Sequence, residues 1–315
     1  RSLYRTDSSD HSAVMQFVNN GGLISKFIKP QENDCRLSRS TAERCFGDKI
    51  MLSASKIDVY HQCRFRYLCQ YVLKLKPLKK AEIDVMERGT IVHYVLEKTV
   101  IKYADDPKSA LELSEDRLLA EIHELVNECV EGYSKGRQFT KTETYSQNKL
   151  EKMLALLVRR IFTELSNTKF KVMQTELAIG DIGDKEDHVP AIEADIGNGR
   201  RIVVVGVIDR ADVFKSEKGD FVRIIDYKTG TKTLELSDVV NGCNIQMLLY
   251  MSALIRYMRT SGKSAFPAGV YYLPAKSEYV SADKNSDSKT QKQLDDKLRC
   301  GGMTADNEEV IDALD

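Results

Sequence analysis

The stretch Val203-Val-Val-Gly-Val-Ile-Asp-Arg-Ala-Asp-Val-Phe214, followed by Phe221-Val-Arg-Ile-Ile-Asp-Tyr-Lys-Thr-Gly230, decides the fold. Both segments are rich in β-branched and aromatic residues, a composition that favours strands. The six residues between them are polar and include a glycine, as expected for a loop that joins two neighbouring strands. The simplest prediction is therefore a β-hairpin.

The register of this hairpin determines which side chains share a face. If Phe214 pairs with Phe221, Asp209 lies opposite Asp226, with Cβ atoms roughly 4.5–5.5 Å apart. Two carboxylates at that distance repel unless a cation or a shared proton relieves them. Lys228, two residues beyond Asp226, projects from the same face. Two acids and an amine on one apolar strand pair can support divalent-metal phosphodiester hydrolysis, although a register slip of one or two residues would separate the acids.

Composition narrows the class of protein. A chain of 315 residues, 42% hydrophobic and 30% charged, can bury a core and is ordinary for a soluble protein. Lys plus Arg and Asp plus Glu each number 47, so a nucleic-acid surface would require local segregation of charge. No apolar run approaches the ~20 residues of a membrane span, and no membrane partner is expected. Seven cysteines without compact, regular spacing favour a reducing cytoplasm over a disulfide framework.

The predicted order of elements is helices first and strands later. Residues 1–50, which begin with Arg rather than Met, are interpreted as a connecting arm in a longer protein, and 51–315 as one domain. Ser55 is predicted to cap a helix that runs to about Leu75. Further helices are predicted near 87–98, 107–132, 143–165 and 238–260, the last capped by Ser237. Strands are predicted at 170–179, 191–195 and 267–273, with a meander that leads into the hairpin. Residues 277–297 are predicted to form a mobile loop.

The segment 53–80 is basic within a neutral chain. It holds seven Lys or Arg residues and one acid, Asp58, with Tyr60, Phe65 and Tyr67 among them. One interpretation is a solvated helix face, which is what many charge runs are. The other is a surface that contacts phosphates and stacks on bases. The sequence leaves both open.

Two candidate ligands precede the hairpin. His93 follows Gly89 by one helical turn; a lone histidine is most often structural, but histidine is also a common metal ligand. A glycine one turn earlier leaves space for a metal or a DNA backbone. Glu176 lies in a predicted strand that should neighbour the hairpin. By itself it is an ordinary surface glutamate, and beside two aspartates it becomes a candidate third acid.

Gln246 and Tyr250 are four residues apart on a predicted helix and therefore share one face. In a structural interpretation, Tyr250 packs in the core and Gln246 covers its edge. In a functional one, the amide and the phenol reach a phosphate or orient the lysine of the site. Each signal is weak when taken separately.

Together these motifs resemble the RecB-like branch of the PD-(D/E)xK nucleases, in particular the C-terminal nuclease domains of AddB-type helicase–nuclease subunits. The resemblance covers about residues 50–275 and implies a restriction-endonuclease-like α/β core, in which helices flank a central mixed sheet, with a helical N-terminal portion. The matching segments are Leu52-Ser-Ala-Ser-Lys-Ile-Asp-Val-Tyr-His-Gln-Cys-Arg-Phe65, 89–93, 206–210, 226–230, 246–250 and the terminal 301–314.

The resemblance also implies roles for these residues. Asp209, Asp226 and His93 would bind Mg²⁺ or Mn²⁺, which agrees with the preference of these cations for oxygen ligands. Lys228 would orient or polarise the attacking water. The full set of candidate site residues is His93, Glu176, Asp209, Asp226, Lys228, Gln246 and Tyr250.

AddB-type domains also carry an iron–sulfur cluster on four cysteines, one in a Cys-Pro-Phe motif and three near the C-terminus. Cys63 matches the first, with Arg64 in place of the proline. No closely spaced triplet follows, and Cys69 lies on the wrong face of a helix to join Cys63. Either the chain ends before the triplet, which its start at Arg1 favours, or this member lacks the cluster, so a [4Fe–4S] cluster is expected only in a longer protein.

The expected function is metal-dependent DNA cleavage by the exonuclease module of a helicase–nuclease that processes double-strand breaks for recombinational repair. The implied partners are DNA, as a single strand from a duplex end, and an AddA-like helicase–nuclease subunit. The alternatives are a stand-alone RecB-like exonuclease, a catalytically silent DNA-binding or scaffold module, and a hydrolase of small phosphate esters. Intact Asp209, Asp226 and Lys228 disfavour the silent module, and the basic segment disfavours the last.

Overall fold

The computed structural model describes residues 38–76, 85–134, 141–182, 188–230, 234–276 and 299–314. The chain divides into two compact units, residues 1–45 and 46–315. Within the first unit the structure describes 38–45, most of which belong to a helix, α1 (Arg39–Phe46). The rest of the expected connecting arm up to residue 37, and the expected loop at 277–297, lie outside the described residues.

Helices dominate the first half of the second unit. They are α2 (Ala54–Gln62), α3 (Arg64–Tyr67) with a π-helical turn after it (Leu68–Val72), α4 (Val85–Tyr103), α5 (Pro107–Glu112), α6 (Glu115–Ser134) and α7 (Lys141–Asn167). Three helices follow later: α8 (Leu236–Val240), α9 (Gln246–Thr260) and α10 (Glu308–Leu314). No described helix has both the length and the apolar character that a membrane crossing requires.

The strands form two sheets. The strands are β1 (Lys49–Leu52), β2 (Lys171–Ile179), β3 (His188–Val189), β4 (Ile192–Gly197), β5 (Arg200–Val204), β6 (Gly206–Ser216), β7 (Gly219–Lys228), β8 (Ala265–Pro274) and β9 (Gly301–Thr304). Six of them form the central sheet in the order β3-β2-β6-β7-β8-β9, and β1, β5 and β4 form a smaller one. The central sheet is mixed, because β7 and β8 run parallel while β6 and β7 run antiparallel.

The central hairpin has the predicted register. Phe214 pairs with Phe221, and the pairing continues to Arg210 opposite Ile225. The turn is tighter than the predicted six-residue loop, because the strands stay paired as far as Ser216 and Gly219.

Helices cover both faces of the central sheet, so the predicted fold class is confirmed. On one face, α4, α6 and α7 pack with strand residues such as Ile225 and Tyr227 into one core. On the other, α9 packs against residues such as Val222 and Ile224. Successive residues of β7 thus enter opposite cores, as the period of a strand requires. Asp226 follows this alternation toward the α9 side.

Three predicted helices are interrupted. The helix predicted to run to Leu75 stops at Cys63, whose backbone is extended and whose Sγ accepts from the Arg66 amide at 3.4 Å. Its cap is Ser53, which accepts from the amide of Lys56, so the prediction of Ser55 was wrong. The predicted helices 107–132 and 238–260 are each divided into two. The predicted helix 238–260 is divided because Gly242 and Asn244, which lie between α8 and α9, have positive φ angles that a helix does not allow.

The predicted meander was also wrong. β4 and β5 form an antiparallel pair, but they belong to the smaller sheet, where β5 pairs in parallel with β1. Val205, between β5 and β6, donates its amide to the Leu52 carbonyl at the end of β1, so the chain leaves the smaller sheet there before it enters the central one. The sequence carries no signal for β1, because four residues are too few to show a strand periodicity.

Candidate active site

Asp226 lies at the end of β7 with both carboxylate oxygens engaged. Its Oδ2 forms an ion pair with Lys228 Nζ at 2.6 Å, and its Oδ1 accepts from Gln246 Nε2 at 3.1 Å. Asp226 is 4% exposed, so the charge of Lys228 offsets a carboxylate that would otherwise be costly to bury. The structure thus brings together three predicted site residues, two from β7 and one from the first turn of α9.

Asp209 comes from the neighbouring strand. The observed pairing of β6 with β7 ends at Arg210 opposite Ile225, one step short of the predicted Asp209–Asp226 pair, and Asp209 Oδ2 accepts from the Tyr227 amide at 2.7 Å. Burial and the nearby charge of Asp226 raise the pKa of Asp209, while His93 opposes the shift. The two aspartates therefore repel each other in a buried setting, which is the condition that favours capture of a cation.

His93 and Glu176 complete a group of ligand atoms with Asp209. His93 Nδ1 lies 3.4 Å from Asp209 Oδ1 and 3.6 Å from Glu176 Oε1. The three residues can offer one ligand atom each within 4.8 Å of one another, and among the described residues no other group of this kind occurs. His93 comes from α4, Glu176 from β2 and Asp209 from β6, so three elements converge here.

The backbone of Glu176 explains how a strand residue reaches this group. Its φ is +46°, in the left-handed region that residues other than glycine rarely adopt, and β2 also carries an irregularity between Val172 and Gln174. Unusual backbone conformations of this kind concentrate at functional sites. The predicted third acid is therefore placed by a local distortion, and its strand does neighbour the hairpin through β6.

The carboxylates control the charge of His93. Burial would lower the pKa of its imidazole, but the hydrogen bonds and charges of Asp209 and Glu176 raise the pKa to about 10. The imidazole therefore carries a proton at neutral pH when these carboxylates are its only partners. That proton partly neutralises the acids, as a bound cation would.

Tyr250 packs against the start of β6. A Cβ added to Gly206 would overlap the phenol of Tyr250, so glycine is required there for the ring to approach the backbone. Burial, together with the charges of Asp226 and Asp209, raises the pKa of Tyr250 to about 12. Tyr250 therefore stays a neutral phenol beside two acids. Gln246 and Tyr250 share the predicted face of α9.

A second charged cluster lies next to the site, and sequence reasoning missed it. Asp212 is fully buried and accepts from Arg210 Nη2 and Arg223 Nε, each at 2.9 Å. Glu164 of α7 pairs with both arginines. The available signal was the appearance of Arg210, Asp212 and Arg223 in otherwise apolar strands, where buried charges must be paired.

Most cations in the described part of the predicted basic segment are exposed, and its one acid, Asp58, is buried. The exposed cations are Arg64, Arg66, Lys74 and Lys76, whereas Lys56 is half-buried and its Nζ donates to the Met51 carbonyl at 3.0 Å. Arg64 lies over the ring of Tyr60 at 5.5 Å, and Phe65 is 72% exposed. Cys63 is exposed as well and caps α3.

Comparison with known proteins identifies the family of the chain. The model of the PD-(D/E)XK nuclease superfamily matches residues 51–314. The chain is 30% identical over 275 residues to an ATP-dependent helicase/deoxyribonuclease subunit of Thermoanaerobacter sp. (strain X514), a match that covers 87% of this chain and 24% of the relative. It is 28% identical over 283 residues to the protein of the same name from Clostridium novyi (strain NT), covering 89% and 24%. The chain thus spans about a quarter of the length of the curated relatives it matches. Because the family match includes the site and nearly all of the second unit, the chain belongs to the PD-(D/E)XK nuclease superfamily.

Proposed function

We propose that this chain is a metal-dependent DNA nuclease, the exonuclease module of a helicase–nuclease that processes double-strand breaks for recombinational repair. The observation that carries the proposal is the convergence of His93, Glu176 and Asp209 within 4.8 Å, beside an Asp226–Lys228 ion pair. Acids that can bind a divalent cation, next to an amine that can hold water, are the components of phosphodiester hydrolysis.

The donor set fits a hard divalent cation. Asp209 and Glu176 offer carboxylate oxygens, which Mg²⁺ and Mn²⁺ prefer, and His93 adds one imidazole nitrogen. In the proposed site Asp209, Asp226 and His93 would hold the cation, and Glu176, which converges with His93 and Asp209, would be a further acid. A bound divalent cation supplies Lewis acidity, which activates water and offsets the negative charge that builds on the phosphate.

The chain's own residues would orient the reacting groups. The Lys228 amine is 22% exposed and fixed by Asp226, so it can donate a hydrogen bond to the attacking water while it stays in place. Gln246 holds the other oxygen of Asp226 and keeps that carboxylate from rotating. The neutral phenol of Tyr250 can donate to a phosphate oxygen without adding negative charge.

Single-stranded DNA is the proposed substrate, and the basic segment is its proposed contact surface. Lys56, Arg64 and Arg66 can neutralise phosphates, while Tyr60 and the exposed ring of Phe65 can stack on bases. The contact of the His61 ring on α2 with Gly242, just before α9, links this segment to the helix that carries Gln246. A small phosphate ester is too short to contact several cations and aromatic rings of this segment at once.

The wider assembly is proposed from the relatives. Because they are named as ATP-dependent helicase/deoxyribonuclease subunits, we expect an AddA-like helicase–nuclease subunit to deliver a single strand from a duplex end. The described cysteines are free, which suits the reducing cytoplasm in which such a complex would work. Among the described residues no group of cysteines lies close enough to Cys63 to share a cluster with it, so no role is proposed for an iron–sulfur cluster.

The experiment is a degradation assay on single-stranded DNA with Mg²⁺ or Mn²⁺. The parent chain should release nucleotides, and Lys228→Met should lower kcat about 100-fold or more, because it removes the group that orients water. DNA affinity should stay within about threefold of the parent's. The control is Lys215→Met, an exposed lysine near the turn of the same hairpin, which should cleave normally.

Two results separate the alternatives. If the parent binds DNA but cleaves none with either cation, the catalytically silent DNA-binding module becomes the better interpretation. If the parent hydrolyses small phosphate esters and excess DNA does not inhibit that activity, the substrate is not DNA.

A further inference from the structure

A buried polar chain joins α2 to the strand beside the site. Asp58 Oδ1 accepts from the Asn244 amide at 2.7 Å, across 186 positions of sequence, and Asn244 Oδ1 accepts from Tyr272 Oη at 2.9 Å. Asp58 is 8% exposed, Asn244 2% and Tyr272 3%. Polar groups this deeply buried are costly unless their hydrogen bonds are made, so Asp58 holds the backbone of Asn244 and the Asn244 side chain holds the Tyr272 hydroxyl.

One end of this chain reaches Lys228. The Lys228 Nζ lies 5.3 Å from the centroid of the Tyr272 ring, a cation–π contact, and the same atom pairs with Asp226 Oδ2. The ring therefore limits where the amine can move. Since the Tyr272 hydroxyl is fixed by Asn244, the orientation of the ring depends on that hydrogen bond.

Asn244 also determines where α9 begins. Asn244 has φ +58°, a left-handed conformation that asparagine adopts more readily than most residues, and it lies two positions before Gln246. Gln246 is the first residue of α9, and its side-chain amide donates to Asp226 Oδ1. The backbone bond from Asn244 to Asp58 thus fixes the point from which Gln246 projects.

Both oxygens of Asp226 are therefore engaged by groups whose positions depend on Asn244. Attachment of α2 alone would need only the bond between Asp58 and the Asn244 amide. It would not need the Asn244 side chain to hold a buried hydroxyl beneath Lys228. We propose that Asp58, Asn244 and Tyr272 are positioning residues that orient Lys228 and Gln246 about Asp226. The inference rests on the proposed nuclease function and gives these three residues a role that the sequence analysis did not assign to them.

The test compares two tyrosines that are adjacent on β8. Tyr272→Phe removes the hydroxyl that Asn244 holds, and Tyr271→Phe removes a hydroxyl that contacts Thr304 Oγ1 on the opposite face of the sheet. With Mn²⁺ and single-stranded DNA, Tyr272→Phe should lower kcat at least tenfold with KM within twofold of the parent. Tyr271→Phe should leave both constants within twofold.

A second pair of variants separates positioning from folding. Asp58→Asn keeps an oxygen that can accept from the Asn244 amide, and Asp58→Ala does not. Asp58→Asn should retain kcat within threefold of the parent, whereas Asp58→Ala should lose at least tenfold. Retention of kcat in Asp58→Asn would show that the hydrogen bond from the Asn244 amide, and not the charge of Asp58, is what the site requires.

A readout that needs no catalysis is the rate at which an acylating reagent modifies Lys228, followed by peptide mass spectrometry. Tyr272→Phe should make acylation at least threefold faster, because the amine is less confined, and Tyr271→Phe should not change it. If Tyr272→Phe leaves kcat and acylation within twofold, or if both tyrosine variants behave alike, the proposal is overturned. If the parent cleaves no DNA, the nuclease function fails, and the acylation rates alone decide whether these residues position Lys228.

Discussion

The protonation of His93 decides how the site should respond to pH. Its pKa is raised to about 10 by Asp209 and Glu176, against the opposing effect of burial. A cation that uses the imidazole must therefore displace a proton at neutral pH. Because protons compete with the metal, affinity should increase as the pH rises, by about tenfold per unit between pH 7 and 9.

Calorimetry of Mn²⁺ binding in buffers with different ionisation enthalpies measures this proton directly. The parent should release about one proton per cation at pH 7.5. His93→Gln has no proton to release there, so its affinity should be weaker and should change little over the same range. Equal pH slopes for the two proteins would mean that His93 is not a ligand.

Gly206 shows how one residue fixes the distance between a helix and a strand. In Gly206→Ala the new methyl group would overlap the phenol of Tyr250, which is 4% exposed and packs in the core on the α9 side of the sheet. We expect a loss of about 1–3 kcal/mol in the free energy of unfolding, as for other overpacked sites.

Chemical denaturation of matched alanine variants tests this expectation. Gly132→Ala on α6 meets no heavy atom within 4 Å and should stabilise the protein by up to about 1 kcal/mol, because alanine favours a helix more than glycine does. A Gly206→Ala protein as stable as the parent would show that Tyr250 can move away from β6.

At the scale of elements, the hairpin could be predicted because its register follows from composition. Strands rich in Val, Ile and Phe flank a short polar turn, and the observed Phe214–Phe221 pair has the register that the prediction assumed. The contribution of Glu176 could not be predicted in the same way. Its position depends on the left-handed backbone of Glu176 within β2, which no local sequence pattern predicts.

The helix breaks were unpredictable for a related reason. Cys63 and Asn244 interrupt apolar patterns that would otherwise continue. Asn244 is held by Asp58, a residue far away in the sequence, so tertiary contacts override the local preference. The same long-range contact places Gln246 at the start of α9.

The buried charge cluster is the element-scale feature with the largest expected effect on stability. Asp212→Ala would leave the guanidinium groups of Arg210 and Arg223 with Glu164 as their remaining acid. Removing one partner from a buried ionic group typically costs about 3–5 kcal/mol, and we expect a loss of that size in the free energy of unfolding.

The control is an exposed ion pair in the smaller sheet. Glu193 and Arg201 are 49% and 54% exposed in their side chains, so Glu193→Ala should change the free energy of unfolding by less than about 1 kcal/mol. Urea titrations of the two variants compare them directly. Similar small losses would mean that water or other groups satisfy the arginines when Asp212 is removed.

At the scale of the whole molecule, the separation of strands into two sheets could not be predicted from the sequence. β4 and β5 have the length and turn of a hairpin that could extend the central sheet, yet β5 pairs with β1. Pairing between segments about 150 residues apart depends on how the chain folds back, not on the local pattern. The fold class was predictable because helical and strand periodicities were clear.

The basic segment gives a whole-molecule prediction about salt. If its cations contact phosphates, Arg64→Gln with Arg66→Gln should reduce the slope of log K against log salt by about 1.4 for single-stranded DNA. The control pair is Arg256→Gln with Lys263→Gln, two exposed cations at the far end of α9 and just after it. Fluorescence anisotropy across salt concentrations measures both slopes. Equal slopes would indicate that the basic segment is only a solvated face.

Cation binding by the hairpin acids, measured together with DNA cleavage, is the most direct test of the proposed site. Calorimetry with Mn²⁺ and a degradation assay would use the same samples of the parent, Asp209→Asn and Asp220→Asn, the last at the opposite end of the hairpin. We predict that the parent and Asp220→Asn bind Mn²⁺ and degrade single-stranded DNA, and that Asp209→Asn loses both. A parent that binds no divalent cation, with or without DNA, would contradict the central claim.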